Sequence, residues 1–381
     1  MELRDYPEPE GDRRRLNVHV QLRDLLVGLA VSSLLVYLSI RNVDWRSFAE
    51  GLRSVNVPCL IGTVVFTFIS IFVRSYRWGL FLSGRPGFND LFQSVMSEFA
   101  VNNTISTRLG EIGRACVISD RTGTNVVTSY AAVIAERIVD GFFLLAVLAA
   151  TTSTFHQVPW IKSLGRSALI GYCLALAIVV LLRASGTGAL RRILSPLSGR
   201  LSEVAAEVVE LFTSGVSALL SPGRMLRIVL LSAALWASVG AAIWFVLISF
   251  PFGGEMPLRA VFLISSLLPL AVMIPASPIS FGLFQYLSVL SLSLFGVERG
   301  NAIGVSVVMH VTISVPVTAV GIVFLWRNGV SFRRLLGHLR SGESFSRWIS
   351  SGIGGGGGSS GHAADHTFTD SIFRLTSTEA L

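Results

Sequence analysis

The chain carries little charge for its size. Asp, Glu, Lys and Arg make up 14% of its 381 residues, whereas hydrophobic residues make up 51%. Soluble proteins contain about 25% charged residues, because water must solvate their surface. The mean hydropathy of +0.65 points the same way. These values exclude an ordinary soluble protein and predict an all-α polytopic membrane protein.

Cysteine is rare and lysine almost missing. Cys59, Cys116 and Cys173 have neither the spacing of a metal site nor that of a disulfide framework. Lys162 is the lone lysine among 31 basic residues, which a GC-rich genome explains as well as a function does. The sequence has no nucleotide-binding loop, metal-ligand cluster or nucleophile elbow, and no polar stretch long enough for a soluble catalytic domain. We therefore expect no cofactor and no metal, and a role other than that of an enzyme.

The basic residues give a net charge of +8. Such an excess can indicate nucleic-acid binding, but here the arginines cluster at the ends of apolar segments, which is typical of membrane orientation, so we expect no nucleic-acid partner. The N-terminal arm, the 183–227 loop and the segment from Arg327 onward are the richest in arginine, and 154–165 and 251–257 the poorest. The sequence therefore predicts a multi-pass cell (plasma) membrane protein with both termini in the cytoplasm.

Six apolar segments are long enough to cross about 30 Å of hydrocarbon, at 24–41, 57–75, 128–152, 166–183, 226–250 and 302–326. The first lacks a small-residue cleavage site, so we expect it to be retained. Segments 44–55 and 199–220 are predicted to be helices that lie in the membrane interface. We divide the chain into a disordered cytoplasmic arm (1–22), a transmembrane domain (23–335) and a disordered cytoplasmic tail (336–381).

Two further apolar regions, 88–127 and 258–298, are interrupted by polar segments with Gly or Pro at 101–114 and 275–285. Irregular backbone at membrane depth is tolerated only where it lines a cavity or is buried in protein. The predicted orientation requires an even number of crossings in each region. Two half-depth helices in a re-entrant hairpin meet this requirement, as would two short full spans. We favour hairpins, because neither arm of 88–127 offers twenty uninterrupted apolar residues.

The order span, hairpin, span occurs at 57–152 and again at 226–326. The first copy starts outside and the second inside, so the sequence predicts an inverted repeat whose hairpins meet near the midplane, as in many transport proteins. The predicted fold has about six full transmembrane helices and two broken re-entrant helical hairpins.

Three charged residues, Glu136, Arg137 and Asp140, lie within the apolar span 128–152. Glu136 and Asp140 are four residues apart and share a helix face. Ionised groups inside a span are costly unless paired or hydrated, so they indicate a functional site. The alternative is an ion pair at a helix end that lipid headgroups hydrate.

The first interruption contains Arg108, Glu111 and Arg114, with glycines between them, and is preceded by Asn102 and Asn103. Asn, Ser and Thr side chains can cap the helix that follows. A helix N-terminus beside arginines favours a phosphate group. The alternative is that these charges neutralise one another in a loop.

Three further positions are weaker candidates. Arg74 and Arg77 with Trp78 close the span 57–75 and could equally be interface anchors. His310 lies alone in the span 302–326 and could relay protons, although a packing role is the simpler reading. Glu98 is a candidate of the same kind.

Four motifs now stand out, and together they resemble the lysylphosphatidylglycerol synthase transmembrane (flippase-like) family. They are Arg74-x-x-Arg77-Trp78, Asn102-Asn103 with Arg108-x-Gly110-Glu111-x-x-Arg114, Glu136-Arg137-x-x-Asp140, and Pro275-x-Ser277-Pro278 with Gly282. The resemblance covers about residues 20–335. It implies a role in moving lipids, since the family includes the membrane half of bacterial multiple peptide resistance factors, which moves aminoacylated phosphatidylglycerol. Ile279-Ser280 and Gln285 replace the family's usual Gly-Gly pair and Glu. We expect a stand-alone member of the family that lacks the soluble synthase domain.

We therefore predict a lipid translocase for an anionic, aminoacylated or polyprenyl-phosphate-linked lipid, with lipid headgroups as partners. Arg108, Arg114 and Arg137 would hold the phosphate, and Glu111, Glu136 and Asp140 would balance charge. The two breaks should converge on one cavity, with Asn102 on one side and Ser277 and Gln285 on the other. The alternatives are a membrane subunit that presents a lipid carrier to a separate soluble transferase, with Glu136 or Asp140 as base, and a purely structural scaffold.

Overall fold

The computed structural model is helical throughout the part of the chain that it describes. This part comprises residues 43–82, 86–104, 109–152, 222–252, 258–272 and 281–327, together with residue 256 and parts of 33–39 and 163–181. The main helices are α1 Trp45–Arg53, α2 Val57–Gly79, α3 Phe88–Thr104, α4 Leu109–Thr122, α5 Val126–Thr152, α6 Pro222–Ile248, α7 Leu258–Val272, α8 Phe281–Ser293 and α9 Arg299–Arg327.

Three of the described helices are long and apolar enough to cross a membrane, namely Val57–Gly79, Gly223–Ile248 and Arg299–Trp326. α5 has 27 residues, but its three charged residues interrupt the apolar run. The spans predicted at 24–41 and 166–183 are described only in part, and both are helical where they are described. The count of six spans therefore stays a prediction. The described residues also leave out the arm 1–22, the segment 199–220 and the tail 336–381.

α1 is a surface helix that occupies most of the predicted segment 44–55. Asp44 caps it, because its Oδ1 accepts a hydrogen bond from the backbone N–H of Arg46 at 2.9 Å. This bond and one from the Ser47 hydroxyl hold the pKa of Asp44 below its ordinary value of 3.8. Arg46 and Glu50 are exposed, whereas Phe48 packs against the buried core.

Each interrupted region forms two short helices that pack on each other. α3 and α4 have 17 and 14 residues, and α7 and α8 have 15 and 13. All four are shorter than the about 20 residues that a full crossing needs. The breaks between them, 105–108 and 273–280, lie outside the described residues.

The two halves repeat the same turn before their last helix. Gly123 has a φ of 67° and Gly296 a φ of 79°, and each lies three residues before the start of a long helix, α5 or α9. Only glycine adopts this left-handed conformation without strain. The turns therefore fix equivalent chain reversals in the two halves.

The helix packing also follows one pattern in both halves. α3 of the first half packs on α9 of the second, and α7 of the second packs on α5 of the first. Within the halves, the pairs α2–α3, α3–α4 and α4–α5 correspond to α6–α7, α7–α8 and α8–α9. Each half thus completes its packing only with the last helix of the other.

α2 and α6, the first long helices of the two halves, pack on each other in antiparallel directions. At one end, the backbone N–H of Asn56 donates to Ser249 O at 2.7 Å. At the other end, Arg77 reaches Ser232 at 2.7 Å. Equivalent helices that run in opposite directions require an axis that reverses one half relative to the other.

The α3–α9 contact depends on a glycine. A Cβ atom on Gly321 would clash with the backbone carbonyl of Met96 and would lie 2.7 Å from Ala100 Cβ. A Cβ on Gly240 of α6 would meet Val261 at 3.6 Å, an ordinary contact. The packing therefore has no room for a side chain at Gly321 but has room for a methyl group at Gly240.

We predict that Gly321→Val destabilises the protein by about 1–3 kcal/mol or more, because the backbone of α3 must move to admit the side chain. Gly240→Ala should leave the melting temperature in detergent nearly unchanged. Thermal unfolding followed by intrinsic fluorescence measures both. Equal melting temperatures for the two variants would contradict the close packing of α3 on α9.

Candidate functional site

Charged side chains from four helices converge in the interior of the first half. Arginines and carboxylates alternate in one network, formed by Arg74 and Arg77 of α2, Glu98 of α3, Glu111 and Arg114 of α4, and Glu136, Arg137 and Asp140 of α5. The helical spacing of three or four residues between charges on α2, α4 and α5 places them on faces that meet.

Arg77 is fully buried and bridges two carboxylates. Its Nη1 donates to Asp140 Oδ1 at 2.7 Å and its Nη2 donates to Glu136 Oε1 at 2.8 Å. Nη1 also donates to the Ser232 hydroxyl of α6 at 2.7 Å. Trp236, one turn further along α6, donates its indole N–H to Asp140 Oδ1 at 3.2 Å. The second half thus holds the network through Ser232 and Trp236.

Arg114 is the second fully buried arginine. Its Nη2 donates to Glu136 Oε2 at 2.7 Å, and its Nη1 lies 3.0 Å from Glu98 Oε2. The guanidinium lies over the ring of Trp78 with 4.3 Å between the guanidinium carbon and the ring centroid, a cation–π geometry. Glu136 therefore joins Arg77 to Arg114.

Arg137 and Glu111 form the more open side of the network. Arg137 Nη2 donates to Glu98 Oε1 at 2.7 Å and its Nε donates to Glu111 Oε1 at 2.9 Å. The side chains of Arg137 and Glu111 are 25% and 20% exposed, whereas that of Glu98 is 1% exposed. A ligand could reach Arg137 and Glu111 without breaking the buried pairs.

Arg74 is the least satisfied member. Its Nη2 is 3.5 Å from Glu98 Oε1 and its Nε is 3.3 Å from Glu136 Oε1, and neither nitrogen makes a hydrogen bond within the described part of the chain. Its guanidinium lies 5.3 Å from the centroid of Phe99. Arg74 thus has two buried guanidinium nitrogens that can still donate hydrogen bonds.

The network is electrically balanced, since four arginines face four carboxylates. Buried charges cost several kcal/mol each unless partners surround them. Here Glu98 and Glu136 each lie within 3.5 Å of three arginines. Opposite charges around each buried carboxylate thus offset the cost of burial.

A cavity of about 550 Å³ opens beside the network, between the two halves. Its polar end is lined by Arg74, Glu98, Asn102, Asn103, Glu111, Arg137 and Asp140. Its other walls are mostly apolar, with Ile243 of α6, Leu268 of α7, Phe284 of α8 and Met309 of α9 among them. The volume and the mixed lining suit a ligand that carries both a charged and an apolar part.

The two asparagines near the end of α3 each bond to another helix. Asn102 Oδ1 accepts from the backbone N–H of Gly110 at 3.0 Å, which caps the start of α4, and Asn103 donates to Thr318 of α9 at 2.8 Å. A Cβ on Gly110 would clash with the carbonyl of Glu98, so α3 and α4 approach closely there. Of the residues predicted as caps, Asn102 thus caps α4, whereas Asn103 bonds to α9.

The other predicted site residues do not all lie in the cavity wall. Arg108 and Ser277 lie outside the described residues. Gln285 is buried outside the cavity lining, and His310 lines the cavity, with its ring 4.8 Å from that of Phe284. Arg114 and Glu136 are buried behind the cavity rather than in its wall.

Two of the alternatives weighed from the sequence do not hold. Arg77 is not an interface anchor and Glu136 is not an ion pair at a helix end, because both are fully buried in the network. Ser232 and Trp236 were missed. Their spacing of four residues in an apolar helix was the available signal, but Ser and Trp are common in such helices.

Comparison with known families identifies the chain. The family described as "Lysylphosphatidylglycerol synthase TM region" matches residues 25–321. The chain belongs to this family. Together with its long apolar helices, this membership makes it a membrane protein with a lipid-related function. No curated protein matches the sequence.

The matched region contains every charged residue of the network and the whole described lining of the cavity. The resemblance inferred from four motifs is thereby confirmed. Within the described residues, no group of three His, Cys, Asp or Glu side chains could hold a metal ion.

We predict that Glu136→Gln destabilises the protein by about 3–5 kcal/mol, because it leaves Arg77 and Arg114 buried with too little negative charge. Arg121→Gln is the matched control, since Arg121 pairs with Asp90 at 2.6 Å but is partly exposed. It should cost less than about 1 kcal/mol. Chemical unfolding in detergent compares the two. Equal losses would show that the network contributes no more than a surface ion pair.

Proposed function

We propose that this protein moves a lipid with a charged headgroup between the leaflets of a membrane. The observation that carries this proposal is the cavity between the two halves, which has a charged end and mostly apolar walls. A lipid headgroup needs charged partners inside the membrane, whereas its tails need apolar surroundings. Family membership supports a lipid as the ligand.

Arg74 and Arg137 are the residues that we expect to contact a lipid phosphate, because both line the cavity. Arginine forms two parallel hydrogen bonds with phosphate, and Arg74 has donors that no other described residue uses. Arg114, which the sequence suggested for this role, instead neutralises Glu98 and Glu136 from behind. Glu111 and Asp140 can contact a cationic group of the headgroup or balance charge.

The packing supports an inverted repeat. Equivalent helices exchange partners between the halves, and α2 and α6 are antiparallel. Such a repeat provides two related conformations that expose one site to either leaflet in turn. We place both termini in the cytoplasm and the protein in the cell membrane, as the arginine distribution indicates.

A catalytic role is less well supported. A general base must lie within hydrogen-bond reach of the substrate's proton, and a carboxylate that already accepts bonds from a guanidinium is a weaker base. Asp140 accepts hydrogen bonds on both oxygens, from Arg77 and Trp236, and Glu136 does not line the cavity. Presentation of a lipid carrier to a separate transferase is the alternative that would explain lipid modification without flipping.

Liposomes that contain fluorescent phosphatidylglycerol, with and without lysyl-phosphatidylglycerol as competitor, test the proposal. Arg74→Gln should slow flipping by about tenfold or more, because a charge-assisted hydrogen bond contributes about 1.5–3 kcal/mol. Arg121→Gln, which removes a surface arginine, should flip at the normal rate. The rate is measured from the loss of lipid fluorescence after a membrane-impermeant reductant is added, because the reductant bleaches only lipid that has reached the outer leaflet.

Normal flipping by the double variant Arg74→Gln, Arg137→Gln would contradict the site. No flipping by the unaltered protein with either lipid, together with loss of lipid modification in cells on deletion, would favour the transferase alternative.

A further inference from the structure

A second set of polar residues lies between α8 and α9, away from the charged network. The rings of Phe284 and His310 meet at 4.8 Å and fix the faces that the two helices turn to each other. Ser288 and Ser291 follow Phe284 by one and two helical turns, and Ser306 precedes His310 by one turn. We call Gln285, Ser288, Ser291, Ser306 and His310 the serine seam.

Several polar atoms of the serine seam are buried without a hydrogen bond. Ser291 and Ser306 are 0% exposed and Gln285 is 5% exposed. The two hydroxyls and both polar atoms of the Gln285 amide have no hydrogen-bond partner within the described part of the chain. A buried polar group without a partner is strongly unfavourable.

Other buried serines of this protein do not share this feature. Ser75, Ser94 and Ser232 each donate to the carbonyl four residues earlier in their own helix, at 2.7–2.8 Å. Ser288 of the serine seam does the same toward Phe284. Ser291 and Ser306 therefore differ from the usual way in which a serine is satisfied in an apolar helix. Groups of this kind are normally bonded by internal water.

Polar residues also lie at both ends of the part of α8 and α9 that carries the serine seam. At one end, His310 lines the cavity. At the other end, the α8–α9 turn leads to Glu298, which is exposed and accepts a hydrogen bond from Ser47 at 2.9 Å. Ser47 also reaches Asp44 at 2.8 Å. Twelve residues of helix separate Glu298 from His310, a distance of about 18 Å.

We propose that a chain of internal water molecules runs along the serine seam and carries protons between the surface at Asp44 and Glu298 and the cavity at His310. A proton would pass from surface water along this chain to an imidazole nitrogen of His310 and would leave that nitrogen into the cavity, so no other reactant is consumed. This inference rests on the proposed lipid transport and gives it a coupling ion.

The charged groups that share the cavity with His310 all come from the first half. They are Arg74, Glu98, Glu111, Arg137 and Asp140. α6, α7 and α8 contribute no charged side chain to the described lining. A proton on His310 would therefore add a charge from the second half to a described lining that otherwise has its charges in the first half, and would change the balance of the neutral network.

Silver-ion accessibility tests the path without any lipid assay. Ag⁺ fits a path that only water fills, and it blocks a cysteine thiol. Folded protein in liposomes is treated with Ag⁺ first, and the thiols that Ag⁺ has not blocked are then alkylated with N-ethylmaleimide. We expect Ag⁺ to block the cysteines of Ser291→Cys and Ser306→Cys at least tenfold faster than that of Ser94→Cys. Ser94 is equally buried but bonded and lies outside the cavity lining. Peptide mass spectrometry reads each cysteine separately.

Protection of both seam cysteines at the rate of Ser94→Cys would overturn the path. Two seam positions are used so that the failure of one variant to fold leaves the other as the test, and the melting temperature identifies such a failure.

The proton role is tested by flipping at different pH values. The rate for fluorescent phosphatidylglycerol should change at least threefold between pH 5.5 and 8 in the unaltered protein, and the change should vanish in His310→Gln. A pH-independent rate in a protein with Ag⁺-accessible seam cysteines would show a water path that carries no proton. Absence of flipping at every pH would instead contradict the proposed function and leave the silver result to decide the path.

Discussion

The neutralisation of buried charge is the constraint on which the rest of this structure depends. Four arginines and four carboxylates share one interior, and Glu98 and Glu136 each lie between three arginines. Removing any one of the fully buried members leaves a charge without a partner in a medium that solvates it poorly. The helix faces, the close approach at Gly110 and the hydrogen bonds from Ser232 and Trp236 all serve to keep these groups at bonding distance.

The two halves use the same frame for different chemistry. Arg137 and His310 each lie eleven residues after the start of equivalent helices, Val126 and Arg299. Arg137 bonds to carboxylates, whereas His310 packs its ring against that of Phe284. A permanent charge in one half thus shares the cavity with an imidazole of the other half, a group that can take up and release a proton.

Much of the fold could be predicted from the sequence, because apolar runs and their interruptions report directly on burial. The ends of α2, α5, α6 and α9 differ from the predicted spans by only a few residues. The site was harder. Arg77 at a span end looks the same whether it faces headgroups or carboxylates, and only the packing of α5 on α2 decides between them. Glu98 was underrated because its partners lie in three other helices.

The order of the charges along the chain bears on how the protein enters the membrane during synthesis. α2, α3 and α4 contribute three arginines and two glutamates to the network, which leaves the network one positive charge in excess. α5 then contributes two carboxylates and Arg137, one negative charge in excess. The network can therefore reach electrical neutrality before α6 leaves the ribosome. α5, which is too charged to be inserted readily on its own, meets counter-charges that are already in place, so insertion and ion pairing can proceed as one event.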